Sequence, residues 1–180
     1  MRRTLRAATV VLVTTAVAAG AALPSGAAPD PAVAEATATG WVPAPTVPWE
    51  RPAGVICDFA VRAEPVVDEV MKLVLDEFPD GTPQREIYTG DLVMRVTNLE
   101  TGAYTDADAS GDALIEYHED GSSTWYVRGP VLMGGRDTGG NLPRGYWRVD
   151  GLFTADIAAN GEKTVTMVHG TQHDVCTDID

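Results

Sequence analysis

From Val55 onward, apolar and polar residues alternate in short runs separated by turn residues. Alternation of period two sends successive side chains to opposite faces of a sheet, so such runs predict half-buried strands. "VICDFAVRA" (55–63) and "REIYTGDLVMRVTN" (85–98) are two of them. "DALIEYHE" and "STWYVRG" flank "EDGS" and predict a hairpin, and "YWRVDGLFTADIA" and "KTVTMVHGT" flank "ANGE" and predict a second with Asn-Gly at its centre. "FPDGTP" and "NLETGAY" carry the residues that turns require, and "GGRDTGGNLPRG" reads as a long flexible loop. Short strands at this spacing predict an all-β fold: a single antiparallel β-barrel or sandwich domain of about eight strands, over residues 55–180.

One segment fits two periods. In "PVVDEVMKLVLDEF", Val66, Val67, Val70, Met71, Val74, Leu75 and Phe78 form a helical stripe with Pro65 at a plausible first helical position. Lys72 to Phe78 also alternate as a strand running into Pro79-Asp80-Gly81, and "QREIYTG" directly after that turn is a ready hairpin partner. The hairpin decides for a strand, with room for a short helical turn before it.

The same alternation sorts candidate core from candidate site. Ile115, Tyr117, Trp125, Val127, Trp147 and Val149 share one face and make a credible core. Glu116, His118, Tyr126, Arg128, Tyr146 and Arg148 share the other, with Arg95 near them. At a barrel mouth this set would bind a small anion or support proton transfer. On the solvated side of an antiparallel sheet it would form cross-strand ion pairs instead.

The first residues change the setting. Arg2, Arg3 and Arg6 precede an uncharged, Ala-rich stretch from Ala7 to Leu23, followed by small residues and prolines. That order predicts a secretory signal peptide within residues 1–36, cleaved between 27 and 36, and a secreted, extracellular protein. Residues 37–54 read as a Pro/Ala/Thr-rich arm, pinned by Trp41 and Trp49. The net charge of −13 repels nucleic acid and anionic lipid, and no second apolar segment reaches membrane-spanning length. The expected partner is a small molecule or an extracellular protein, with neither nucleic acid nor, once the leader is removed, a membrane.

Two cysteines remain to be placed, Cys57 and Cys176. Outside the cell the default is one disulfide between them, the alternatives being free thiols or an intermolecular pair. A loop that long contributes about 4–5 kcal/mol in the chain-entropy model. Asp106, Asp108, Ser110 and Gly111 spell D-x-D-x-S-G, the first half of a calcium loop, with Asp112 next in the ligand series. The twelfth position is Tyr117 rather than the bidentate Glu, so an acidic turn is the reading taken, and no metal or cofactor is expected. His169 and His173 have a glycine between them in a strand-and-turn context, which does not suit a shared metal. No G-x-S-x-G elbow and no phosphate-cradling glycine loop is present.

The order Cys57, Phe59, Val61 ("C-x-F-x-V"), then "FPDG", "VTNLETG" (96–102), Ala109-Ser110-Gly111, a glycine-rich loop and a terminal Asp174-Val175-Cys176 resembles a family of secreted actinobacterial proteins. The resemblance covers Val55 to Cys176. It implies a single barrel-like all-β domain with paired terminal cysteines and carries no activity with it. The function expected is a non-catalytic extracellular binding or interaction module. The alternative is a small-molecule barrel, a carrier or an isomerase-like enzyme, using the Glu116, His118, Arg128 and Arg148 face.

Overall fold

A computed structural model describes residues 40–137 and 139–180; the expected signal peptide and the start of the arm lie outside the described residues. Three hairpin turns follow one recipe. In Phe78–Thr82, His118–Ser122 and Ala158–Glu162, the first backbone N–H donates to the last carbonyl. In each, Asp80, Asp120 or Asn160 accepts from the N–H two residues on, at 2.9–3.0 Å. These turns close β4 (Met71–Glu77) on β5 (Pro83–Thr89), β8 (Asp112–Tyr117) on β9 (Ser123–Arg128), and β11 (Gly145–Ile157) on β12 (Lys163–Asp174).

The remaining strands are β1 (Val42–Pro43), β2 (Trp49–Arg51), β3 (Val61–Asp68), β6 (Leu92–Asn98), β7 (Tyr104–Asp108) and β10 (Val131–Gly135). All named strand pairs are antiparallel, in an eight-stranded sheet running β1-β4-β5-β8-β9-β11-β10 with β12 also on β11, and a four-stranded sheet β2-β3-β6-β7. The all-β expectation holds, and the ambiguous segment is strand. The count does not hold, and of the two expected architectures the closed barrel is not found: the described residues form twelve strands in two open sheets rather than about eight. Part of the difference lies in the arm. Val42 pairs with Lys72 and Trp49 with Ala63, so the arm adds an edge strand to each sheet.

A second difference is "VICDFAVRA", where extended backbone begins only at Val61. Ile56, Cys57 and Phe59 are all buried, a spacing no single strand face provides. A backbone hydrogen bond from Gly54 to the Cys57 carbonyl turns the chain there, and Cys57 is bonded to Cys176, 119 residues away. A third is "REIYTGDLVMRVTN", which Gly90-Asp91 divides between the two sheets.

A row of close backbone approaches crosses the large sheet. Gly111 N–H donates to the Pro130 carbonyl, Gly129 N–H to the Gly151 carbonyl, and Gly151 pairs with Gly170. Gly151 has φ +120°, and a Cβ there would lie 2.2 Å from the His169 carbonyl oxygen, so no other residue fits. Beyond this row both faces of β11 are covered. Tyr146 packs in a cluster with Val61, Val96 and the disulfide, while Val149 packs with Val127 and Phe153. Asn98, buried at the end of β6, donates to the Ile179 carbonyl at 3.0 Å and tethers the C-terminus beside the disulfide.

Candidate functional site

The two apolar clusters do not meet tightly. Between them lies a cavity of about 430 Å³ whose aromatic walls are Trp49, Tyr88, Tyr117, Trp125 and Tyr146. Room is left by small residues: Gly90, Ala109 and Gly111 where the chain passes between sheets, and Ala113 near the start of β8. Trp49 and Tyr146 hold one side as an edge-to-face pair with ring centres 5.2 Å apart.

Tyr88 and Tyr117 turn their hydroxyls away from the apolar walls to a common acceptor. Glu86, only 2% exposed, accepts from Tyr88 Oη at 2.8 Å, from Tyr117 Oη at 3.0 Å and from Lys72 Nζ at 2.8 Å. Strand register brings them together: Glu86 faces Val74 across one ladder and Ile115 across the other, so Lys72 and Tyr117 are diagonal neighbours. Burial alone would raise the Glu86 pKa; the hydrogen bonds from Lys72, Tyr88 and Tyr117 outweigh it and hold the carboxyl below its ordinary value. Burial and the Glu86 charge push both phenols up. The cluster is therefore a carboxylate held by three donors, two of them phenols, which fixes the two aromatic rings in the cavity wall rather than exchanging protons near neutrality.

The seven residues singled out from the sequence do not share one pocket. Glu116, His118, Tyr126 and Arg128 gather on the opposite, outer face of β8–β9. There Tyr126 donates to Glu116 at 3.2 Å, Arg128 pairs with Asp112, and His118 bonds Thr124 at 3.3 Å. Glu116 and His118 also line an open surface cleft with Arg85 and Asp76. Arg148 lies past the glycine row, bonded to Asp150 and to the Asp108 carbonyl. Arg95 is on the other sheet, bidentate to Asp106 and stacked 4.4 Å from the Tyr104 ring. Tyr146 is buried.

The acidic run beginning at Asp106 is a strand and a turn whose members are separately engaged. Asp106 holds Arg95, Asp108 accepts from Ser110 N–H at 2.9 Å, and Asp112 accepts from Thr89 and Arg128. Ser110 is tied to Leu92 through its hydroxyl, at the passage between the sheets. His173 bonds Asp178 at 2.9 Å, and His169 is four residues before it along β12, too far to share a ligand with it. Among the described residues no three His, Cys, Asp or Glu come together as a metal site.

Sequence reasoning missed Lys72 and Glu86 entirely. The turn at Pro79-Asp80-Gly81 carried enough register to put Lys72 beside Tyr88. Nothing marked Glu86 as internal, because its apolar neighbour Ile87 invites the opposite assignment of faces. No protein-family model, curated protein or solved structure matches the chain.

Proposed function

We propose that the protein is a secreted, non-catalytic binding module whose ligand is a small, flat, largely apolar molecule held in the aromatic cavity. The observation carrying this reading is the cavity itself: about 430 Å³, within the size range of small-molecule sites, walled by five aromatic residues. The polar cluster behind it favours binding over chemistry. A general base needs a pKa near the working pH, whereas Glu86 is held low and the phenols are pushed high. The Cys57–Cys176 disulfide is in keeping with an extracellular setting, and among the described residues no helix is long and apolar enough to cross a membrane.

Native mass spectrometry of the protein secreted by its own host, without reduction, tests this. The expected result is an added small organic mass that disappears in Ala113→Phe, a substitution on the cavity wall. A bare chain, or a mass retained in the filled variant, overturns the cavity as the site.

A further inference from the structure

Trp49, Leu132 and Tyr146 also line a second cleft of about 400 Å³ whose character is the reverse of the first. Its charged walls are Arg51, Arg136 and Lys163, Asn160 is a further polar side chain, and no Asp or Glu lines it. In a chain with 26 acidic and 13 basic residues, a cation finds a carboxylate almost anywhere it is placed. Among the described residues, Arg62, Lys72, Arg85, Arg95, Arg128, Arg144 and Arg148 all do so. Arg51, Arg136 and Lys163 are the lysines and arginines there without an ion pair, and all three meet in this cleft.

The fold brings them together by specific means. Arg51 lies over the Trp49 ring at 5.2 Å, which fixes its side chain along the β2 face, and donates to the Glu50 carbonyl. The loop carrying Arg136 is docked on the start of β12: Gly140 bridges Lys163, and Asn141 exchanges hydrogen bonds with Val165 in both directions, at 2.8 and 2.6 Å. A Cβ at Gly140 would lie 2.0 Å from the Lys163 carbonyl oxygen, so this approach requires glycine. Lys163 Nζ donates to the Gly161 carbonyl at 3.4 Å. Burial, and then the neighbouring Arg136 charge, lower its pKa. Arg136 and Lys163 repel each other across the cleft that Arg51 also lines, and an anion between them removes that repulsion.

We propose that this cleft binds a small organic oxyanion, its carboxylate, phosphate or sulfate group held by Arg51, Arg136 and Lys163 and its flat body laid against Trp49 and Tyr146. Guanidinium groups match such oxyanions in two-point geometry, and the overall negative charge of the protein confines anion affinity to places where cations are locally concentrated. The cleft shares Trp49, Leu132 and Tyr146 with the aromatic cavity, but its three cations are its own, so the charge-removing variants test it independently of what the cavity holds.

The test is calorimetric titration of the whole secreted protein with inorganic phosphate, inorganic sulfate, phenyl phosphate and benzoate, at low and at physiological salt. Saturable one-to-one binding is expected, weakened by salt and at least tenfold by Arg136→Gln/Lys163→Gln, with phenyl phosphate tighter than inorganic phosphate. The ranking of phosphate, sulfate and carboxylate identifies the group the cleft takes. Arg128→Ala, on the outer face, leaves binding unchanged. Unchanged melting temperatures show that the variants fold, and Arg51→Gln gives the same test if the double variant does not. Absence of saturable binding to any probe, or equal affinity in wild type and variants, overturns the site. Equal affinity for inorganic and phenyl phosphate overturns the aromatic half of it.

Discussion

The two faces of the β5–β8–β9 sheet carry the same chemistry in opposite settings. Inside, Glu86 is bonded to Lys72, Tyr88 and Tyr117; outside, Glu116 is bonded to Tyr126 and Asp112 to Arg128. The Glu86 side chain is 3% exposed and that of Arg128 79%. Water decides what these similar groups are worth. An exposed pair exchanges solvation for contact at little net gain. A buried carboxylate has lost its water and depends on every donor that replaces it. The pairs drawn from sequence lie on the face where they matter little, and the group on which the interior depends lies one residue out of phase with them.

The largest expected effect follows directly. Glu86→Ala strands the Lys72 ammonium and two phenols without their acceptor and is expected to cost about 3 kcal/mol in urea unfolding. A loss below about 1 kcal/mol, the range of exposed pairs, would erase the contrast between the faces. Tyr117→Phe removes one donor and leaves the carboxylate two, so about 1–2 kcal/mol is expected by the same measurement.

Acid sharpens the contrast by acting on one group. The folded-state pKa of Glu86 lies below its unfolded value, so its contribution is complete above the unfolded pKa of about 4.3 and is lost as pH falls through the folded value. Wild type is therefore expected to lose more stability than Glu86→Gln as pH drops below about 4. Asp80, Asp108, Asp112 and Asp120, also held low by hydrogen bonds, titrate identically in both proteins and cancel in the difference. Parallel curves for the two proteins would mean that Glu86 is not the group acid acts on.

Much of the fold was legible because hairpins are local. The turns at Asp80-Gly81, Asp120-Gly121 and Asn160-Gly161 set their own register, and the core positions Ile115, Val127 and Val149 follow by alternation. The site was not legible, for two physical reasons. Alternation tells which residues share a face but not which face meets water. Past the Gly129–Gly151–Gly170 row both faces of β11 are covered, so Tyr146, on the same parity as Arg148, is buried. The cationic cleft is a property of tertiary docking. Arg51 comes from the edge strand of the small sheet, Arg136 from a loop and Lys163 from the start of β12, and nothing local links them.

The smallest effect completes the comparison. Arg128→Ala removes an ion pair whose arginine is almost wholly in water, so the attraction is screened and the side chain regains its freedom. The expected loss is under about 0.5 kcal/mol and vanishes as salt is raised. The Glu86→Ala loss is expected to persist in salt, because ions do not enter the interior to screen it. Measuring both variants at low and high salt therefore separates the faces by mechanism as well as by size. If Arg128→Ala cost as much as Tyr117→Phe and kept that cost in salt, the outer face would be a structural network, and burial would not be what distinguishes Glu86.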